Sequence, residues 1–193
     1  MKLAIVIPTY NEGKTLPSLI ERLIKQVKHI VDDFNIVIVD DSSPDGTADI
    51  ARNMAKKFRE IIVIQRPAKL GLGAAYKNGF RYVLDKLGSE LIIEMDADHS
   101  HDPSEIPNMI KNIGKYDFLI ASRHVKGSVT IGWGIWRKLT HSIAVSIARQ
   151  CAKLDISDPT SGFRMFKNET LQQIDFDKIR SDGYAFQIEV LHQ

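Results

Sequence analysis

The chain has 193 residues, 44% of them hydrophobic and 26% charged, which is enough apolar material to close the core of a globular domain. Its 26 basic and 24 acidic residues leave a net charge of +2, which makes no case for a nucleic-acid partner, so any anion site must come from local placement of arginine and lysine. The single cysteine, Cys151, excludes an intrachain disulfide and a cysteine zinc site and suits a cytosolic setting, and no apolar stretch reaches the ~20 residues that span a bilayer.

Residues 3–7 form a continuous apolar run stopped by Pro8, too short and wrongly flanked for a signal peptide, and they read as a parallel strand buried on both faces. Over residues 14–28, Leu16, Leu19, Ile20, Leu23, Ile24 and Val27 keep the 3.6-residue period of an amphipathic helix. A second strand is predicted over 36–39, closed by Asp40-Asp41-Ser42-Ser43-Pro44-Asp45-Gly46, then a helix over 47–58, a strand over 61–64 and a helix over 73–87. The pattern repeats with a strand over 91–95, a helix near 103–113 and a strand over 118–121. Strands alternating with helices at this spacing imply βαβ units, so the first ~120 residues read as one doubly wound layer with helices on both faces.

Beyond Ser122 the character changes. Arg123, Lys126, Arg137 and Lys138 are candidate phosphate-binding residues, because guanidinium forks match phosphate oxygens. Trp133 and Trp136 beside them suit a surface lying among lipid headgroups; a solvated basic face and ordinary core are the plain alternatives. A helix follows, then the turn-rich Asp158-Pro159-Thr160-Ser161-Gly162-Phe163-Arg164, and residues 184–193 break off inside a helical pattern.

The chemistry concentrates at the strand ends. Asp96 and Asp98 flank Ala97 just past a buried strand, where side chains at i and i+2 face the same way; they can converge on one hard cation, or one can hold the cation and the other a sugar hydroxyl. His99 and His101 beside them are either turn residues or part of a His/Asp metal cluster. The loops carrying Pro8, Tyr10, Glu12, Asp40, Asp41, Arg66 and Lys69 fall on the same sheet edge and suit a nucleotide: Asp40 or Asp41 for ribose or base, Tyr10 against a ring, Arg66 or Lys69 for base or phosphate. Gly71-Leu72-Gly73 makes only a weak dinucleotide motif, since Tyr76 stands where its third small residue belongs, and no lysine-bearing phosphate loop is present.

Taken together, Ile7-Pro8-Thr9-Tyr10-Asn11-Glu12, Val39-Asp40-Asp41-Ser42-Ser43-Pro44-Asp45-Gly46, Gly71-Leu72-Gly73-Ala74-Ala75, Met95-Asp96-Ala97-Asp98 and Ser161-Gly162-Phe163-Arg164 resemble family 2 glycosyltransferases. Ser122-Arg123, Lys126-Gly127, Arg137-Lys138 and Gly183-Tyr184-Ala185-Phe186-Gln187 narrow the resemblance to the polyprenyl-phosphate branch, where the chain looks most like the dolichyl-phosphate mannose synthase type. That resemblance implies a single GT-A catalytic domain over residues 1–193, a Rossmann-like, mostly parallel α/β sheet, moving mannose from GDP-mannose to dolichyl or polyprenyl phosphate with inversion. It implies a nucleotide pocket of Pro8, Tyr10, Glu12, Asp40 and Asp41 with Arg66 and Lys69 nearby, and Mg2+ or Mn2+ on Asp96 and Asp98 across Ala97. Ser100 stands where some relatives place a glutamine as third metal ligand. Arg123 and Arg137, with Lys126 and Lys138, would hold donor and acceptor phosphates, Asp158 and Ser161 would shape the sugar side, and the protein would sit peripherally on the cytoplasmic face of a membrane. The family's basic Arg-x-x-Gly-x-Ser-Lys loop is not met before residue 193, so a C-terminal segment is expected to be missing. Two alternatives stay open: a UDP-glucose donor, or a binding module for sugar nucleotide or lipid phosphate without turnover.

Overall fold

A computed structural model describes residues 1–125 and 156–193; Lys126, Trp133, Trp136, Arg137, Lys138 and the helix expected after them lie outside the described residues. At the centre is β1 (Lys2–Thr9), paired in parallel with β2 (Asp33–Asp40) on one side and β4 (Leu91–Glu94) on the other, while β2 pairs in parallel with β3 (Ile61–Gln65). These strands are covered on both faces, so their apolar runs are continuous and the two-residue pleat sorts the side chains into layers. Leu3, Ile5 and Ile7 point into one layer with α1 (Leu16–Val27), α2 (Thr47–Ala55) and α4 (Ile106–Asn112). Ala4 and Val6 point into the other with Tyr76 and Phe80 of α3 (Leu72–Tyr82).

The predicted stripe of α1 is the buried one: Leu16, Leu19, Ile20, Leu23, Ile24 and Val27 all face the sheet. Full burial of each contributes about 1.5–3 kcal/mol, so packing rather than helix propensity holds the element in place. On the opposite face α3 comes close to β1 at Gly79, where an added Cβ would lie 2.4 Å from Val6 Cγ1.

Three elements differ from the sequence reading. Helix α2 ends at Ala55, before residue 58. Helix α3 ends at Tyr82 and gives way to a π turn, Val83–Leu87, closed by Gly88 at φ 60°. The layer is also not parallel throughout: the strand order is β3-β2-β1-β4-β6-β5, and β6 (Arg164–Lys167) runs antiparallel between β4 and β5 (Phe118–Ile120). A strand from the C-terminal half therefore fills the slot beside β4, with Met165 and Phe166 serving the two core layers and Arg164 in register with Glu94. Then come α5 (Asn168–Gln172) and α6 (Gly183–Val190), whose Phe186 and Val190 cover the α3 face.

The connection order reverses between β1 and β4, which is where an open sheet of this kind leaves a crevice at its carboxyl edge. The ladder to β4 ends at Val6↔Glu94, so Pro8, which has no N–H to give, sits beyond the last β4 partner. No helix among the described residues is long and apolar enough to cross a membrane.

Candidate active site

A cavity of about 280 Å³ opens at that switch point, lined from β1 by Pro8, Thr9, Tyr10 and Glu12, from β2 by Asp41, from the β3–α3 connection by Lys69 and Gly71, and from β4 by Asp96, Ala97 and Asp98. Three non-glycine residues in the loops following these strands adopt positive φ: Asn11 at 63°, Ser42 at 52° and His99 at 62°. Such backbone costs about 1–3 kcal/mol per residue and persists only where its surroundings enforce it. Here the Asn11 N–H donates to Ser43 Oγ at 3.0 Å, the Ser42 hydroxyl donates to the Arg66 carbonyl at 2.6 Å, and His99 Nε2 lies 2.9 Å from Ser18 Oγ of α1.

On the nucleotide side the expected residues divide into two groups. Tyr10, Glu12, Asp41 and Lys69 reach the cavity, and the Lys69 ammonium lies 3.9 Å from the centroid of the Tyr10 ring, a cation–π contact. Asp40 does not reach it. It is fully buried and accepts hydrogen bonds from Thr9 Oγ1 at 3.0 Å, Ser43 N at 2.9 Å and Ser43 Oγ at 2.6 Å, so its carboxylate ties β1 to the β2 loop instead of facing ribose or base. Arg66 is likewise turned inward: its Nη1 is 3.1 Å from Asp41 Oδ1, with both side chains buried, and Asp41 Oδ2 accepts the Leu70 and Gly71 N–H groups at 2.9 and 3.2 Å. Arg66 thus fixes the loop that carries Lys69.

The acidic pair converges on the cavity from one strand end. Asp96 Oδ1 accepts the Tyr76 hydroxyl at 2.8 Å, and the Asp96 N–H donates to His101 Nδ1 at 3.0 Å. Burial pushes the Asp96 carboxyl up, with His101 and Tyr76 opposing. Asp98 is exposed; its own desolvation pushes it up, but hydrogen bonds from Ser100, whose N–H donates to Asp98 Oδ1 at 2.9 Å, outweigh that and hold it below the usual range. Ser100 therefore meets Asp98 through both its hydroxyl and its backbone N–H, which hold the carboxylate in place.

His101 adds no metal donor. With Nδ1 accepting a backbone hydrogen, a neutral His101 ring carries its own hydrogen on Nε2, 3.8 Å from Asp96 Oδ2, and has no lone pair left to offer. Its ring stacks on Phe163 at 5.2 Å, and burial pushes it toward the neutral form against the pull of Asp96 and Asp98. Among the described residues no three His, Cys, Asp or Glu side chains form a metal cluster. Two carboxylates, one half-buried and one exposed, would suit a hard divalent cation.

Across the crevice, the Arg123 guanidinium binds Asp158 through Nε at 2.8 Å and Nη2 at 3.0 Å, and Nη2 also reaches Thr160 Oγ1 at 3.0 Å. Burial raises the Asp158 carboxyl, yet Arg123 outweighs it and brings the value down to about 2. Asp158 is fully buried, and the Ser161 hydroxyl donates to the Ala121 carbonyl at 2.9 Å, so both shape this wall from within instead of facing a sugar directly. The loop is clamped by Arg164, which donates to the carbonyls of Pro159 at 2.7 Å, Ser161 at 2.8 Å and Gln187 at 2.9 Å. Its Nε lies 3.3 Å from Glu94 Oε1, yet no hydrogen bond reaches either Glu94 oxygen among the described residues, and burial pushes Glu94 up to about 8.

Sequence reasoning passed over Tyr76, Glu94, Arg164 and Asp182. A tyrosine four residues before Phe80 on a buried helix face needs a partner for its hydroxyl, and a glutamate ending the run Leu91-Ile92-Ile93 needs a buried counter-charge; both were available signals. Asp182 had none: it caps α3 by accepting the Gly73 N–H at 2.6 Å, so the glycine-rich helix start is occupied by the chain's own carboxylate.

Solved structures share this architecture. A mannosyltransferase from Pyrobaculum calidifontis, solved with GDP-Man and Mn2+, superposes with a TM-score of 0.66 at 16% identity, over 98% of this chain and 51% of that one. Glucosyl-3-phosphoglycerate synthase from Mycobacterium tuberculosis, solved with Mn2+, UDP-glucose and phosphoglyceric acid, gives 0.64 at 20% identity, over 98% of this chain and 63% of that one. This chain thus spans between half and two thirds of those molecules, and the likeness defines the class: an α/β fold of GT-A type. The chain belongs to glycosyl transferase family 2, whose pattern matches residues 4–175. Within the family it is 37% identical over 190 residues to an undecaprenyl-phosphate mannosyltransferase from Micrococcus luteus, covering 98% of this chain and 76% of the relative. It is 38% identical over 189 residues to a polyprenol monophosphomannose synthase from Mycolicibacterium smegmatis, covering 96% and 69%.

Proposed function

We propose that this glycosyltransferase moves mannose from GDP-mannose to a polyprenyl phosphate of dolichyl type, with inversion and with Mg2+ or Mn2+. The observation that carries the reading is that Asp96 and Asp98 share one cavity with the Tyr10, Glu12, Asp41 and Lys69 loops. The two family relatives named for mannosyl transfer or mannose attachment to polyprenyl carriers support the donor sugar and the acceptor class.

In this reading Tyr10, Glu12, Asp41 and Lys69 receive the nucleotide against a wall of Pro8 and Ala97, while Asp40 and Arg66 keep its loops in shape. Asp96 and Asp98 hold the cation, with Ser100 fixing the Asp98 carboxylate. When bound, a divalent ion supplies Lewis-acid stabilisation of the departing diphosphate. Arg123, aimed by Asp158, and Arg137, Lys126 and Lys138 from the neighbouring segment screen the repulsion between donor and acceptor phosphates. Ser161 holds the turn beneath Arg123. An alcohol acceptor would need a general base to strip its proton, whereas a lipid phosphate is already an anion at neutral pH. The protein's work therefore reduces to aligning two anionic reactants, and contact with the membrane surface is peripheral.

The test supplies radiolabelled GDP-mannose, and UDP-glucose in a parallel reaction, to the enzyme with polyprenyl phosphate and Mn2+, and counts label in the lipid phase. The reading expects label from GDP-mannose. Label from UDP-glucose alone overturns the donor, and donor binding without lipid labelling overturns turnover.

A further inference from the structure

We infer that Tyr76 is a positioning residue for the cation-binding carboxylate of Asp96, and that its grip depends on α6 being seated against α3. The inference rests on the metal reading above and concerns what makes that site rigid.

Tyr76 is fully buried, and its hydroxyl donates to Asp96 Oδ1 at 2.8 Å. A phenol has one hydrogen to give, and spending it on Oδ1 fixes the carboxylate torsion and leaves Oδ2 as the oxygen without a hydrogen bond among the described residues. Oδ2 has close neighbours but stays open to the cavity, since the Asp96 side chain is 32% exposed. An added Cβ on Gly162 would lie 3.2 Å from Oδ2, and the His101 ring stands 3.8 Å from the same atom. The phenol itself is held by ring packing: Phe186 stacks on it at 5.9 Å with the planes 3° apart, and Phe80 packs at 5.7 Å. Phe186 belongs to α6 and presses against α3 at Gly73, where an added Cβ would lie 2.8 Å from its ring. A side chain 20 residues before Asp96 and a ring 90 residues after it thus set the angle at which Asp96 meets a cation. Groups that orient a metal ligand in this way are worth about 10–100-fold in metal affinity.

The test is Tyr76→Phe, which keeps the stack and removes one oxygen. Mn2+ binding in the presence of GDP is read from the loss of the free-ion electron paramagnetic resonance signal, and thermal unfolding is followed without metal. The inference expects Mn2+ affinity to fall about 10–100-fold, the metal-free midpoint to stay within about 2 °C of wild type, and excess Mn2+ to restore GDP binding. Phe186→Leu, which spares the hydroxyl, is expected to weaken Mn2+ severalfold. Wild-type Mn2+ affinity in Tyr76→Phe overturns the inference and leaves the metal reading standing, as does a loss of affinity matched by a collapse of the metal-free midpoint. A wild-type protein that takes up no Mn2+ with GDP overturns both.

Discussion

The sheet has two halves built by different means. In the parallel half, β3-β2-β1-β4, each strand is followed by a helix that folds back on it, and the core is apolar and continuous, mainly aliphatic on one face and aromatic-rich on the other. In the antiparallel half, β6 arrives from the far end of the chain and is fastened by an arginine in the core, paired with Glu94 and bonded to three carbonyls. The first half is held by many interchangeable apolar contacts. The second depends on one polar knot, and that knot also holds the 158–162 wall of the site.

Breaking the knot should have the largest effect. Arg164→Ala leaves Glu94 and three carbonyls without their partner, and the expected loss is about 3–5 kcal/mol in urea unfolding. A loss below about 1 kcal/mol would show that the antiparallel half is held by Met165 and Phe166 alone. In the parallel half, Gly79→Ala drives a methyl group into Val6 and should cost about 1–3 kcal/mol through overpacking, without touching the 158–162 wall. A variant as stable as wild type would mean that α3 shifts freely on β1.

A smaller effect sharpens the contrast through pH. The folded value of Asp158 is about 2, below its ordinary 3.8, because Arg123 pairs with it. Its contribution is therefore fully present above about pH 4 and is lost as pH falls through 2, the sign expected for a depressed carboxyl. With Arg123 partly exposed, about 1–2 kcal/mol is expected, so wild type should lose that much more stability than Asp158→Asn between pH 4 and 2. Parallel stability curves for the two proteins would remove the Arg123 pair from the account.

The same contrast explains what could be read before any coordinates. Runs such as Leu3 to Ile7 announce a buried parallel strand, and the stripe from Leu16 to Val27 announces its covering helix, because both signals are local. Asp96 and Asp98 were legible for the same reason: two carboxylates one residue apart at a strand end. What escaped was distant in sequence. Arg164 meets Glu94 across 70 residues, and Tyr76 looks like one more core aromatic until Asp96 is placed above it. Asp40 and Arg66 were named for the right loops, but buried hydrogen bonding turns both inward, an outcome set by partners in neighbouring loops.

The central claim is that Asp96 and Asp98 together hold a divalent ion against the nucleotide's diphosphate. The direct measurement is calorimetric titration of GDP into wild type and Asp98→Ala, each with and without Mn2+. The account predicts that Mn2+ strengthens GDP binding to wild type and has no effect on the variant. Equal Mn2+-dependent strengthening in both proteins would contradict it.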